Sequence, residues 1–225
     1  MKAKALLLGL GLVAVAMGAQ DTIRFSRAFK MGDSDAFKLH VLASTPVGDV
    51  EVNATMKQTI SKVYPNGEAD LITSVPDMRV SIGGNEAPPR AIPDATAHVG
   101  KDGMPVSTAD GRSGNMDFSK YAYLFFNKDF KVGDTINIDS DDTKLKTKTT
   151  GTAKFESVAN GEAKIVETLK VAIPKVETPL EITMTTYVDT ASSRLNKVEG
   201  TLTNVPAGGG MPPVSNLSFS LERIK

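Results

Sequence analysis

Few residues of this chain could do chemistry. Gly32-Asp33-Ser34 sets a serine just after a glycine turn, where a hydrolase would set its nucleophile. That chemistry needs a histidine base and an orienting acid within hydrogen-bond reach of the serine. The sequence supplies its own control, because "FKMGDS" at 29–34 returns as "FKVGDT" at 130–135. Thr135 stands where Ser34 stands, and no glycine-rich oxyanion segment follows Ser34. A catalytic serine needs no such twin. The block therefore reads as a turn: Gly32 and Gly133 accept unusual backbone angles, and Asp33 and Asp134 hydrogen-bond the backbone nearby. No catalytic residue is assigned.

The two histidines, His40 and His98, lie in no metal-binding spacing, and there is no cysteine. Zinc sites built on Cys, or on His pairs at i and i+4, are excluded. His40 falls between Leu39 and Val41 on an alternating segment and should face solvent. His98 falls in a connecting region. Asp139, Asp141 and Asp142 crowd "DSDDTK" (139–144), yet Lys144 and Thr150 stand where a calcium loop needs Gly and Glu. That stretch reads as a solvated hairpin turn. Lys144, Lys146 and Lys148 alternate on "KLKTKTTGTAKF" and predict one exposed strand face, or an edge strand guarded by lysine. No metal and no cofactor is expected.

"YAYLFF" (121–126) is apolar on both faces of a strand. Ala122, Leu124 and Phe126 share one face, and Tyr121, Tyr123 and Phe125 the other. The bland reading is a central strand packed between layers. The sharper one is that Tyr121, Tyr123 and Phe125 line a cavity for an apolar guest.

The elements that must position these residues are strands. Ile23, Phe25 and Phe29 share a face, as do Leu124, Phe126 and Phe130. Period-two alternation continues through Phe37, Leu39, Val41 and Ala43, then through Val50, Val52, Ala54, Met56 and Ile60. It returns in Ala163, Ile165, Leu169, Val171 and Ile173, in Leu180, Ile182, Met184 and Val188, and in Leu217, Phe219 and Leu221. Such alternation predicts half-buried antiparallel strands. Asn66-Gly67 and Asn160-Gly161 are hairpin turn signals. "SKVYPNGEA" (61–69) echoes "ESVANGEA" (156–163), and "AHVGKDG" (97–103) loosely matches "TYVDTAS" (186–192). Three matches in one order indicate an internal duplication. The fold class expected is all-β, or β-rich α+β. Two tandem halves would form a curved sheet, half-barrel or sandwich. The first β-repeat covers 20–118 and the second 119–225. An irregular Gly/Pro-rich connection at 83–117 is broken by a short strand near 96–100, and a second loop is expected at 205–214. If a helix exists, it belongs near 54–63, where Met56, Ile60 and Val63 have helical spacing.

The chain opens "MKAKALLLGLGLVAVAMGAQDT". Lys2 and Lys4 precede an apolar run over 5–17 and then small residues, the layout of a secretory signal peptide over 1–19. The run is shorter than the roughly 20 residues that span a bilayer. Without cysteine no lipid is attached at the cut, and no integral membrane segment is expected after cleavage. The whole chain carries 26 basic and 26 acidic side chains. Taking away Lys2 and Lys4 leaves 24 against 26, a net charge of about −2, which argues against nucleic acid as a partner.

A leader, a strand leading into "FKxGD", "NGEA" hairpins and the closing "YVDTASSRLNKVEG" together resemble uncharacterised bacterial envelope proteins. These in turn resemble the lipoprotein-carrier (LolA/LppX-like) superfamily. The resemblance implies a strongly curved antiparallel sheet and transfers no catalytic residue. The reading is of an exported protein, periplasmic or extracellular, that is not an enzyme. It would bind an apolar or amphiphilic ligand or an envelope protein partner. The alternatives are a structural or surface-layer component, and a hydrolase.

Overall fold

A computed structural model describes residues 22–46, 48–101, 105–108, 124–142, 146–206 and 214–224. The leader expected at 1–19, Tyr121, Tyr123, Lys144 and most of the loop expected at 205–214 lie outside the described residues. Fourteen strands follow in chain order: β1 Ile23–Arg24, β2 Ser34–Thr45, β3 Gly48–Val63, β4 Ala69–Ile82, β5 Asn85–Glu86, β6 Arg90–Val99, β7 Pro105–Thr108, β8 Asp129–Phe130, β9 Thr135–Asp142, β10 Thr147–Ala159, β11 Glu162–Ala172, β12 Leu180–Asp189, β13 Leu195–Val205 and β14 Val214–Ile224. There is no helix among them.

Eleven of these strands lie side by side in one antiparallel sheet, ordered β7-β6-β4-β3-β2-β14-β13-β12-β11-β10-β9, with β5 paired to β4. The two end strands are not paired to each other, so the sheet is open and curved rather than a barrel or a sandwich. An antiparallel sheet this wide must twist and curl, because each strand is rotated against its neighbour. β14 joins the halves: it pairs with β2 on one side and with β13 on the other.

Two expectations are corrected. Residues 54–63 are the second part of β3, a strand and not a helix. Met56 and Ile60 do share the inner face, but Gln58 sits between them, and bulges at Thr55/Lys57 and Ile60/Lys62 disturb the period. The connection at 83–117 also holds more structure than expected. It contains β5, the ten-residue β6 and β7, whereas only a short strand near 96–100 was foreseen.

The repeated glycine-aspartate blocks form the same hydrogen-bonded turn. Gly32 has φ +85° and donates its amide to the Ile60 carbonyl at 2.9 Å, while Ile60 donates back to the Asp33 carbonyl at 2.9 Å. Gly133 has φ +99° and donates to Phe155 at 2.7 Å, and Phe155 donates back to Asp134 at 2.9 Å. In each copy a bulge follows, at Ile60/Lys62 and at Phe155/Ser157. The Asn-Gly turns differ. Asn160-Gly161 closes a two-residue hairpin with both residues at positive φ. Asn66-Gly67 sits in a five-residue loop between Val63 and Ala69.

One face of the second half is sealed. Phe25, Phe125 and Phe155 are fully buried there with Ile165, Leu169, Leu180, Ile182 and Val188. Phe25 meets Phe126 and Phe155 at ring-centroid distances of 5.6 and 5.9 Å. Phe25 and Phe126 come from the two segments that precede the turns, and those segments pair with each other through β1 and β8. Burying each such ring stabilises by roughly 1.5–3 kcal/mol. The first of these segments is also pinned by charge. Arg27 reaches the buried Asp35 at 2.6 Å, and Arg194 reaches the other Asp35 oxygen at 2.8 Å. Two guanidinium partners offset the cost of burying that carboxylate.

Candidate inner-face binding surface

The inner face of the first half is apolar and only half covered. Val41, Val52 and Val80 stand in one cross-strand row, Ala43, Val50 and Ile82 in the next, and Leu39, Ala54 and Met78 in a third. Ile92 stands opposite Val75 and Arg90 opposite Met78. Ile82 and Ile92 are 49% and 42% exposed. Only Ile60, Ala69 and Val99, with Phe29 and Leu71, form a small closed cluster there. Alternation puts these side chains on one face, and the hydrophobic effect would normally cover them. In the second half the aromatic segments do so. Among the described residues, cover reaches only one end of these strands, where Phe37 and Met56 join the large core and Phe29 packs with Ile60 and Leu71; neither cluster takes in Val41, Val50, Val52, Val80 or Ile82. Gly200 stands near the boundary between the two regions, beside Phe219 in register. A methyl group added at Gly200 would come within 3.0 Å of the Phe219 ring and 2.5 Å of the Thr183 carbonyl.

The candidates named from sequence fall as follows. Ser34 opens β2 and Thr135 opens β9, in matching positions after the turns. His40 is on the same strand as Ser34, six residues on, or about 20 Å away. It is exposed, as expected, and contacts the side-chain Oδ1 of Asn53 at 2.9 Å through Nδ1. It borders two shallow hollows of about 380 and 400 Å³ on the outer face, among Thr185, Glu199, Asn53 and Arg79. Asp139 and Asp141 are on strand β9, not in a turn; the chain reverses after Asp142. Lys148 pairs with Asp139 at 3.0 Å on the exposed face of β10. Lys146 is instead in the turn, with φ +53°, so the three lysines do not line one strand face. β10 is flanked by β9 and β11, so it is not an edge.

Leu124 to Asn127 form a turn with one bridge, Phe126 to Phe25, and not the inner part of a strand. The reason is local: the Asn127 amide donates to the Phe25 carbonyl at 2.7 Å, and Asn127 has φ +57°. Phe125 is fully buried, 4.4 Å from the Phe130 centroid, in the sealed core. Tyr121 and Tyr123 lie outside the described residues.

Sequence reasoning passed over two sites. Glu167 occupies the inner-face slot between Ile165 and Leu169 and is fully buried. Thr186 Oγ1 donates to its carboxyl at 3.2 Å. Burial pushes the Glu167 carboxyl up to about 8, so it is largely a neutral acid at pH 7. The visible signal was a charged residue interrupting an apolar period-two run.

The second is His98. On β6 it meets Asp70 Oδ1 at 2.8 Å through Nδ1 and Glu68 Oε2 at 2.9 Å through Nε2. Tyr64 donates to the other Asp70 oxygen at 2.9 Å, and its ring stands edge-on to the imidazole at 5.1 Å. With a carboxylate on each nitrogen the imidazolium form is favoured, since only it donates from both. These two bonds, Asp70 first, raise the His98 pKa above its ordinary value. Glu68 and Asp70 are each held below theirs, Glu68 first by its bond with Asn66 and Asp70 first by its bond with His98.

No family model matches the chain. No curated protein matches it either. Among solved structures it is similar to a candidate lipoprotein from Parabacteroides distasonis, with 11% identity and a TM-score of 0.36 over 91% of this chain and 100% of the other. It is also similar to a candidate exported protein with a YmcC-like fold from Bacteroides fragilis, at 9% identity and 0.33, covering 90% and 100%. A third is a candidate outer membrane lipoprotein-sorting protein domain from Vibrio parahaemolyticus, at 9% and 0.26, covering 85% and 83%.

Proposed function

We propose that this chain is an exported bacterial envelope protein that binds an apolar or amphiphilic ligand, without catalysis, on the inner face of its first half. The observation that carries the reading is the asymmetry of the sheet. Two similar sets of strands present apolar inner faces, and among the described residues the aromatic segments close the second and leave the Val52, Val80 and Ile82 part of the first uncovered. Val52, Val80, Ile82 and Ile92 remain partly exposed. Contiguous exposed apolar surface on a protein marks an interaction site. Arg90, opposite Met78, places a cation on the same face, which suits an anionic head group. The leader at 1–19 supports export. The separation of Ser34 from His40, and the commitment of both His98 nitrogens to carboxylates, support a non-enzymatic role.

Titration of the mature protein with anilinonaphthalene sulfonate tests this reading. Saturable binding should occur and should weaken at least fivefold in Ile82→Asp and Ile92→Asp. Both side chains are exposed enough for these changes to leave the fold intact. Leu42→Asp, on the outer face, should bind as the wild type does. Equal binding by all four proteins, or none by the wild type, contradicts the proposal.

A further inference from the structure

We propose that His98 is a proton-operated bolt, which fastens β6 to the β3–β4 hairpin while protonated and releases it on losing the proton. The geometry is a bridge across three segments. His98 is on β6, Asp70 is the second residue of β4, and Glu68 ends the hairpin loop. An imidazolium donates to both carboxylates. A neutral imidazole keeps one N–H, and its bare nitrogen then faces a carboxylate oxygen with nothing to share. One of the two bonds must go.

The second half lacks the device. Asp70 stands opposite His98, whereas Lys164 stands opposite Tyr187 in the matching hairpin, where Glu162-Ala163 repeats Glu68-Ala69. There Tyr187 donates to Glu199 at 3.1 Å and Lys164 pairs with Glu156 at 2.6 Å. Lysine and tyrosine keep their protons through the range in which histidine titrates. At this hairpin position, a group that titrates in the histidine range thus stands only in the half whose inner face is open, while the other half answers to pH through Glu167 on β11.

Among the described residues, the other charged and titratable groups around His98 are few. Tyr64 braces Asp70, and the Lys62 ammonium lies 4.4 Å from the Tyr64 ring centre on the β3 side. Lys101 lies against Gly67 at the loop tip. On the far side of β6, Ser107 of β7 stands opposite His98 and does not titrate. The sign follows from the raised folded-state pKa. The bolt's contribution is complete below the unfolded value of about 6.5. It is lost as the pH climbs through the higher folded value. The carboxylates let go only in acid, since both are held below their ordinary values. Released, β6 carries Ile92 and Arg90 away from β4, which loosens one wall of the open face. That last step alone rests on the proposed ligand surface.

Amide hydrogen exchange at Thr96–Val99 between pH 6 and 8.5 tests the bolt, in proteins that all carry Glu167→Gln so that the buried carboxyl of β11 does not titrate; wild type here means that His98 and its partners are unchanged. Each rate is divided by its intrinsic rate to give a protection factor. In the wild type this factor should fall at least tenfold across the range, with the titration of His98 followed by its imidazole NMR signals. In His98→Gln it should be low and flat, and in the β11–β12 hairpin it should stay constant in both proteins. Should His98→Gln fail to fold, Glu68→Gln removes one partner and should lower the His98 midpoint. A wild-type protection factor unchanged over this range, or an equal fall in β11–β12, overturns the proposal. Anilinonaphthalene sulfonate binding is read in the same samples. Titrating protection without any probe binding keeps the bolt and removes the ligand surface.

Discussion

Gly32 and Gly133, about a hundred residues apart in sequence, each donate an amide to the second strand after their turn, at Ile60 of β3 and Phe155 of β10, and each of these residues donates back to the aspartate after the glycine. Each glycine takes a positive φ with open space where a side chain would go. A substitution there meets no neighbour and costs only backbone strain. Gly32→Val and Gly133→Val should each lower stability by about 1–3 kcal/mol. Asparagine tolerates this region better and should cost less at both sites. Urea unfolding checks this, and similar losses at the two positions are expected. A neutral Gly133→Val would show that the turns are not energetically alike.

Glu167 should be a liability that grows with pH. Its folded-state pKa is raised from 4.5 to about 8 by burial. The fold favours the protonated acid, so stability is greatest below the unfolded value and falls as pH rises toward the folded one. At pH 7 the cost relative to acid is on the order of 3 kcal/mol. Glu167→Gln cannot titrate. Whatever its stability at pH 4, it should gain about 3 kcal/mol on the wild type by pH 7. Parallel stability curves for the two proteins would mean that the carboxyl reaches water.

The same residue shows where the sequence was legible and where it was not. Alternation revealed the strands because one face is buried: Ala163, Ile165, Leu169 and Val171 point inward as their spacing requires. Glu167 fits the same period, but nothing local says that a carboxyl will be buried. Bulges hid the rest. At Thr55/Lys57 the register slips, and Met56, Ile60 and Val63 then mimic a helix. β6 was obscured by shifts at Thr73/Val75 and Val75/Met78, and by residues too exposed to alternate. The His98 bridge joins residues 28 and 30 positions apart, a pairing set only by strand register.

Ser34 should do no chemistry. It opens a strand in the position that Thr135 holds in the other copy, and the histidine on its own strand is out of reach. Ser34→Ala should leave ligand binding within a few-fold of wild type, and a fluorophosphonate probe should not label Ser34. Stoichiometric labelling of Ser34 would assign it a nucleophile's role, whose loss typically costs several orders of magnitude in rate.

The open inner face is tested most directly by methyl NMR of the mature protein titrated with dodecanoic acid. Saturable shifts should concentrate at Val52, Val80, Ile82 and Ile92. Ile165 and Ile182 in the sealed core, and Leu42 on the outer face, should stay still. Shifts confined to the sealed core or to the outer face around His40, or no saturable shift at all, would contradict a ligand surface on the first half.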